Sequence, residues 1–225
     1  MRPPKLLSAP ALLLALTLLA ACSGGGAVSA GDGAGDAAGD PPAGVTAEPS
    51  AVPTASPASE GVVSTRVAVY VMDRGDGPPE LCLGAVAESW PPQCGGPQLV
   101  GWDWAGLDGA ERQGPVRWGT YLVTGTWDGT ALTVTDALPG MQVTTPPLPD
   151  PLADVPPLAT PPSEAELARI AEEVSGLGGA QGAYPVEGRV LVDVTFDDGS
   201  LQAWADEQYG AGVVVVVSAL APVDA

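Results

Sequence analysis

Five of the six tryptophans, Trp90, Trp102, Trp104, Trp118 and Trp127, fall within 38 residues. Indole rings presented together stack on sugar rings or peptide groups at little entropic cost. The same rings serve equally as core filling in a chain with one Phe. Trp102 and Trp104 are two apart and would share a strand face; Trp118 and Trp127, nine apart, point to opposite faces unless a glycine bulge intervenes. Trp90 sits in a Pro-rich loop and is the ring expected to be most exposed. Trp90, Trp102 and Trp104 are therefore the candidate ligand-binding residues.

Other chemistry is scarce. Histidine is absent, which removes the commonest general base and metal ligand and every His-dependent triad. No Ser, Thr or Lys nucleophile motif and no phosphate-binding loop occurs: Gly176-Leu177-Gly178-Gly179 lacks the lysine and follows a helix pattern. Acidic groups cluster at Asp73, Asp76 and Glu80, at Asp103, Asp108 and Glu111, and at Asp197 and Asp198. Oxygen-rich loops can hold calcium, but none has the alternating spacing of a calcium loop. Arg74-Gly75-Asp76 matches an adhesion tripeptide that recurs by chance in turns. The expectation is no catalytic residue, no metal and no cofactor.

Three cysteines remain, Cys22, Cys82 and Cys94. Arg2 and Lys5 precede an apolar run over 11–21 that is too short to span a bilayer. Small residues then lead into Cys22, and Ser-Gly-Gly-Gly follows. Leu19-Ala20-Ala21-Cys22 resembles the lipobox of bacterial lipoproteins. That resemblance implies cleavage before Cys22, a lipid on its sulfur and an extracytoplasmic chain anchored to the cell membrane. Two or more acyl chains anchor stably where one is marginal. In such a compartment Cys82 and Cys94 are expected to pair, because neither a CxxC nor a further thiol or imidazole ligand is present.

Loss of residues 1–21 removes Arg2 and Lys5 and no acid, leaving six arginines against 27 acids, a formal charge of −21. Such a chain is repelled by nucleic acid and by anionic lipid headgroups.

The elements that must position these groups follow from composition and period. Residues 22–63 are dominated by Gly, Ala, Ser, Pro, Thr and Asp, carry no aromatic, and read as a disordered tether. Residues 64–137 read as an all-β unit with strands at 65–72, 80–84, 98–104, 117–127 and 131–137, separated by turn clusters. Five short strands with a long late one suggest a small OB-like β-barrel or sandwich. Residues 138–162 carry nine prolines and read as a stiff, extended linker. Residues 163–225 read as a small α+β unit. Ser163 and Glu166 form a capping box, and Leu167, Ile170, Ala171 and Val174 follow as a helical stripe. Within 188–196, Val190, Val192, Val194 and Phe196 would face one way. Residues 201–208 suggest a short helix burying Leu201, Trp204 and Ala205, and 213–217 a strand covered on both sides. The fold class expected is thus β plus α+β. This two-unit layout is similar to that of small uncharacterised envelope lipoproteins, a resemblance that implies no activity.

The function that follows is a non-catalytic binding or interaction module of the cell envelope. Its partners would be the membrane, through the N-terminal lipid, and a cell-wall glycan or an envelope protein. A carboxylate-dependent hydrolase is the alternative, and needs two carboxyls about 5–10 Å apart in a cleft. A structural or regulatory partner of another envelope protein is the third.

Overall fold

The computed structural model describes residues 51–144 and 147–223. The expected signal peptide, Cys22 and the tether up to residue 50 lie outside these. The strands of the first part are β1 (Val62–Thr65), β2 (Val69–Asp73), β3 (Glu80–Cys82), β4 (Gln98–Val100), β5 (Glu111–Gln113), β6 (Val116–Trp127) and β7 (Ala131–Pro139). A 3-10 turn at Gly140–Gln142 follows. Then come α1 (Glu164–Val174), β8 (Ala180–Val186), β9 (Arg189–Val194), α2 (Ser200–Tyr209), β10 (Val214–Ser218) and β11 (Leu220–Pro222).

The protein is mostly β, with one large, partly closed sheet and one small sheet backed by helices. In the large sheet β6 pairs with β1, β2, β5 and β7. The path β6–β2–β3–β4–β7 returns to β6, and every pairing on it is antiparallel except β4–β7. Strand parity decides the sides. Tyr121, Val123 and Trp127 of β6 turn inward with Val71, Leu81, Leu99 and Leu132 to form the first core. Trp118 has the opposite parity and faces out, as its spacing from Trp127 requires. The register break in β6–β7 lies on β7, where Thr135 is the extra residue, so it leaves that alternation intact.

In the small sheet β9 lies between β8 and β10, antiparallel to β8 and parallel to β10, with α2 as the crossover. Val190, Val192 and Val194 of β9 pack under Leu167, Ile170, Ala171 and Val174 of α1 and Leu201, Trp204 and Ala205 of α2. The Ser163 hydroxyl accepts from the Glu166 N–H at 3.3 Å, capping α1. Strand β8 contains Pro185 and occupies a sheet edge, where a missing N–H is harmless. Strand β10 is the other edge; Val214 and Val215, on its two faces, are buried, and Val216 and Val217 are half-buried. Its outer backbone groups are satisfied by one side chain: Gln202 donates to the Val214 carbonyl at 3.0 Å and accepts from the Val216 N–H at 2.8 Å. That amide occupies the place of a neighbouring strand and blunts the edge against pairing with another chain.

Three boundaries differ from expectation. Strand β11 pairs with β1, and Leu220 and Phe196 enter the first core. Phe196 therefore does not share the face of Val190, Val192 and Val194, because β9 ends at Val194. Residues 51–61, expected in the tether, are packed. Val52 lies against the second core, the Gly178 N–H donates to the Pro53 carbonyl at 2.9 Å, and the Trp127 indole N–H donates to the Pro57 carbonyl at 2.9 Å. A Cβ on Gly178 would stand 2.1 Å from the Ala55 backbone, so only glycine fits there. Finally, part of the proline-rich linker is a strap held against the small sheet. Leu158 packs on the second core, and buried Arg189 donates to the carbonyls of Pro156 and Gly212.

Tyr209, at the end of α2, stands edge-on to Trp204 with ring centroids 5.8 Å apart. Burial, and then the Glu173 carboxylate, push its hydroxyl up to about 12. In the unfolded chain a tyrosine titrates near pH 10. The folded state thus keeps a proton that the unfolded state loses. The stability this confers is complete below about pH 10 and disappears as pH rises to about 12. Tyr209→Phe should flatten that alkaline fall. Urea midpoints at about pH 9 and about pH 11.5 check it; equal falls in both proteins would refute it.

Candidate functional site

The loop between β3 and β4 is built around the Cys82–Cys94 disulfide, whose Cα atoms are 5.6 Å apart. Within it Ala87 and Gln93 bridge, the Ser89 hydroxyl donates to the Pro91 carbonyl at 2.8 Å, and Gln93 donates to Ser89 at 3.3 Å. Arg74 fastens it from outside by donating to the Cys94 carbonyl while pairing with Glu80 at 2.5 Å. The Trp90–Pro91 bond is cis.

The loop covers the outer face of the large sheet. Register places Met72 opposite Trp118, Tyr70 opposite Cys82 and Thr120, and Glu111 opposite Trp118. Met72, Cys82, Cys94 and Trp118 form a buried cluster beneath the loop. Trp90 stands over it, 67% exposed, its ring 5.0 Å from that of Trp118 and at 89° to it. The two indoles make a right-angled corner. A cavity of about 280 Å³ opens beside it, lined by Tyr70, Glu88, Ser89, Trp90, Glu111 and Trp118 among others. Tyr70 is itself 37% exposed.

Trp102 and Trp104 lie elsewhere. They were expected on one strand face, but β4 ends at Val100 and the chain turns at Gly101 with φ 78°, a conformation favouring glycine. Their rings meet edge to face at 5.3 Å and both press on Tyr121, at 5.1 and 6.0 Å. The Trp104 indole donates to Asp73 at 2.9 Å, and the Arg117 guanidinium lies 5.4 Å from its ring centre. Tyr121 donates to the Asp108 carbonyl at 3.1 Å; burial, then the Asp108 carboxylate, raises its hydroxyl above the usual tyrosine range. These two rings are half-buried packing on the first core. The structure therefore joins Trp90 with Trp118, Tyr70, Glu88 and Glu111, not with Trp102 and Trp104. Alternation marks Trp118 and Tyr70 as residues of one parity each; only the β2–β6 pairing puts them on one face.

The acidic clusters resolve into turns and caps. Asp73 accepts from the Gly75 N–H at 2.9 Å and Asp103 from the Ala105 N–H at 2.8 Å. Asp197 accepts from the N–H groups of Gly199, Leu201 and Gln202, which opens α2. Asp198 is held below the usual carboxylate range by the hydroxyl and N–H of Ser200. Among the described residues no group of three or more His, Cys, Asp or Glu converges as a metal site.

A second groove, about 370 Å³, runs along the small sheet between Arg66, Leu148, Tyr184 and Val215. Asp193 lines it. Burial raises that carboxyl above its ordinary value, partly offset by the Tyr184 hydroxyl at 3.3 Å. No second carboxylate is among its lining residues. No protein-family model matches the chain, and no curated protein or solved structure matches it either.

Proposed function

We propose that the chain is a lipid-anchored, extracytoplasmic protein whose folded part is a non-catalytic binding module of the cell envelope. The observation that carries the binding half is the Trp90–Trp118 corner. A ring two-thirds exposed is carried here on a loop fixed by a disulfide, a bridge and an arginine clamp. Aromatic side chains held rigid in this way bind flat or apolar groups with little ordering cost. The five-strand ring, antiparallel but for β4–β7, supports reading the large sheet as an OB-type barrel, a fold that takes oligosaccharides among other ligands. The fold alone licenses no ligand.

The anchoring half rests on Leu19-Ala20-Ala21-Cys22. Intact-mass analysis of the protein from its native membrane should show a chain beginning at Cys22 with acylated glycerol on the sulfur; a free thiol there, with the protein released to the medium, refutes it. For the binding half, the full chain should be retained on envelope polysaccharide. Trp90→Ala should weaken retention roughly tenfold or more while shifting stability by less than about 1 kcal/mol. Retention of neither protein removes the glycan reading.

A further inference from the structure

We infer that the exposed rings of Trp90 and Tyr70, set over buried Trp118, form a site for a substituted ammonium group, with Glu88 and Glu111 as its counter-charges. The inference rests on the binding site proposed above and names the class of group it takes.

Trp90 and Tyr70, 67% and 37% exposed, both line the same 280 Å³ cavity, over the buried Trp118 ring that Trp90 meets edge to face at 89°. Aromatic faces attract a cation within about 6 Å of a ring centre, Trp most strongly. The two side chains on the cavity wall that carry charge at neutral pH are both acidic, Glu88 and Glu111. Among the described residues the ion pairs are Arg74–Glu80 and Arg169–Glu173, so neither carboxylate has its charge spent on an arginine. The arginines nearest in the chain are engaged elsewhere. Arg74 is on Glu80 and the Cys94 carbonyl, Arg112 donates to the Gly114 carbonyl at 3.0 Å, and Arg117 lies over Trp104. A neutral sugar would leave the two carboxylates without a role, and an anionic one would meet them as like charges. The acidity of the whole chain, −19 formally, raises the local concentration of cations and repels anions. The cavity volume suits a headgroup of a few heavy atoms rather than a whole oligosaccharide.

Calorimetric titration of the full chain in nonionic detergent tests this with four probes. They are choline, its neutral carbon isostere 3,3-dimethylbutan-1-ol, phosphocholine and N-acetylglucosamine. Choline should bind at least about tenfold more tightly than the isostere. It should also outbind phosphocholine, whose phosphate meets Glu88 and Glu111; that order points to an amine carried on a sugar or peptide rather than on a phospholipid headgroup. Trp90→Ala should cost choline about tenfold, and Glu88→Gln and Glu111→Gln a few-fold each, with binding weakened by added salt. If the isostere or N-acetylglucosamine binds as well as choline, and the two glutamine variants change nothing, the cation assignment is overturned while the aromatic site stands. If no probe binds and Trp90→Ala is silent on polysaccharide too, both fall.

Discussion

A variant with alanine at positions 82 and 94 loses about 3 kcal/mol of stability. The disulfide closes a loop across 12 positions, and tethering such a loop restricts the unfolded chain by roughly that amount. In a chain of this size the melting temperature falls by on the order of 10 °C. The loss is not only entropic, because both cysteines are buried against Met72 and Trp118. Freed from its pin, the loop that carries Trp90 no longer covers the outer face, and Trp118 becomes wet. Binding at the aromatic corner should therefore fail in this variant even at temperatures where the rest of the protein stays folded. Urea denaturation and tryptophan emission measure the two effects. Coincident midpoints for wild type and variant, with an unshifted emission maximum, would show that the loop holds its place without the bridge.

Leu220→Ala is the second large effect, about 3 kcal/mol, the usual cost of truncating a fully buried leucine. Leu220 lies in a three-residue strand close to the C-terminus, yet it contributes to the core of a sheet whose other strands all precede residue 140. Val223, two residues beyond that strand's centre and 43% exposed, is the control: its alanine variant should be near neutral. The same geometry predicts that residues 64–137 do not fold alone. Excision removes Val63, Phe196 and Leu220 from the core and leaves Gly125 and Thr126 of β6 without their β1 partners. Thermal melting of Leu220→Ala and far-ultraviolet dichroism of the excised segment check these. A cooperative transition in the fragment, or an unchanged melting temperature in the variant, would mean that the two parts are independent.

Elements whose identity is local were legible in the residues themselves. The apolar stripe Leu167, Ile170, Ala171 and Val174 defines α1, and Ser163 opens it. Leu201, Trp204 and Ala205 are the buried side of α2. The pairing of Cys82 with Cys94 followed once the lipobox resemblance set Cys22 aside, and the alternation of β6 from its own parity. Each of these depends on neighbours two to four positions away, or on a count.

What needed the folded chain was partner choice. Residues 51–61 carry one large apolar side chain, Val52, and both they and the segment around residue 156 are held in part through carbonyls of Pro53, Pro57 and Pro156, groups every residue carries and no pattern displays. Strand β11 is three residues long, too short for a period to appear, and its partner β1 lies some 150 positions earlier. The candidate site is the same case. Trp90, Tyr70, Glu111 and Trp118 come from a loop and three strands, and only the registers of β2 and β5 on β6 set them around one cavity. Side-chain type and local period determine what an element is; backbone hydrogen bonds between distant segments, which are indifferent to side-chain type, decide what it meets.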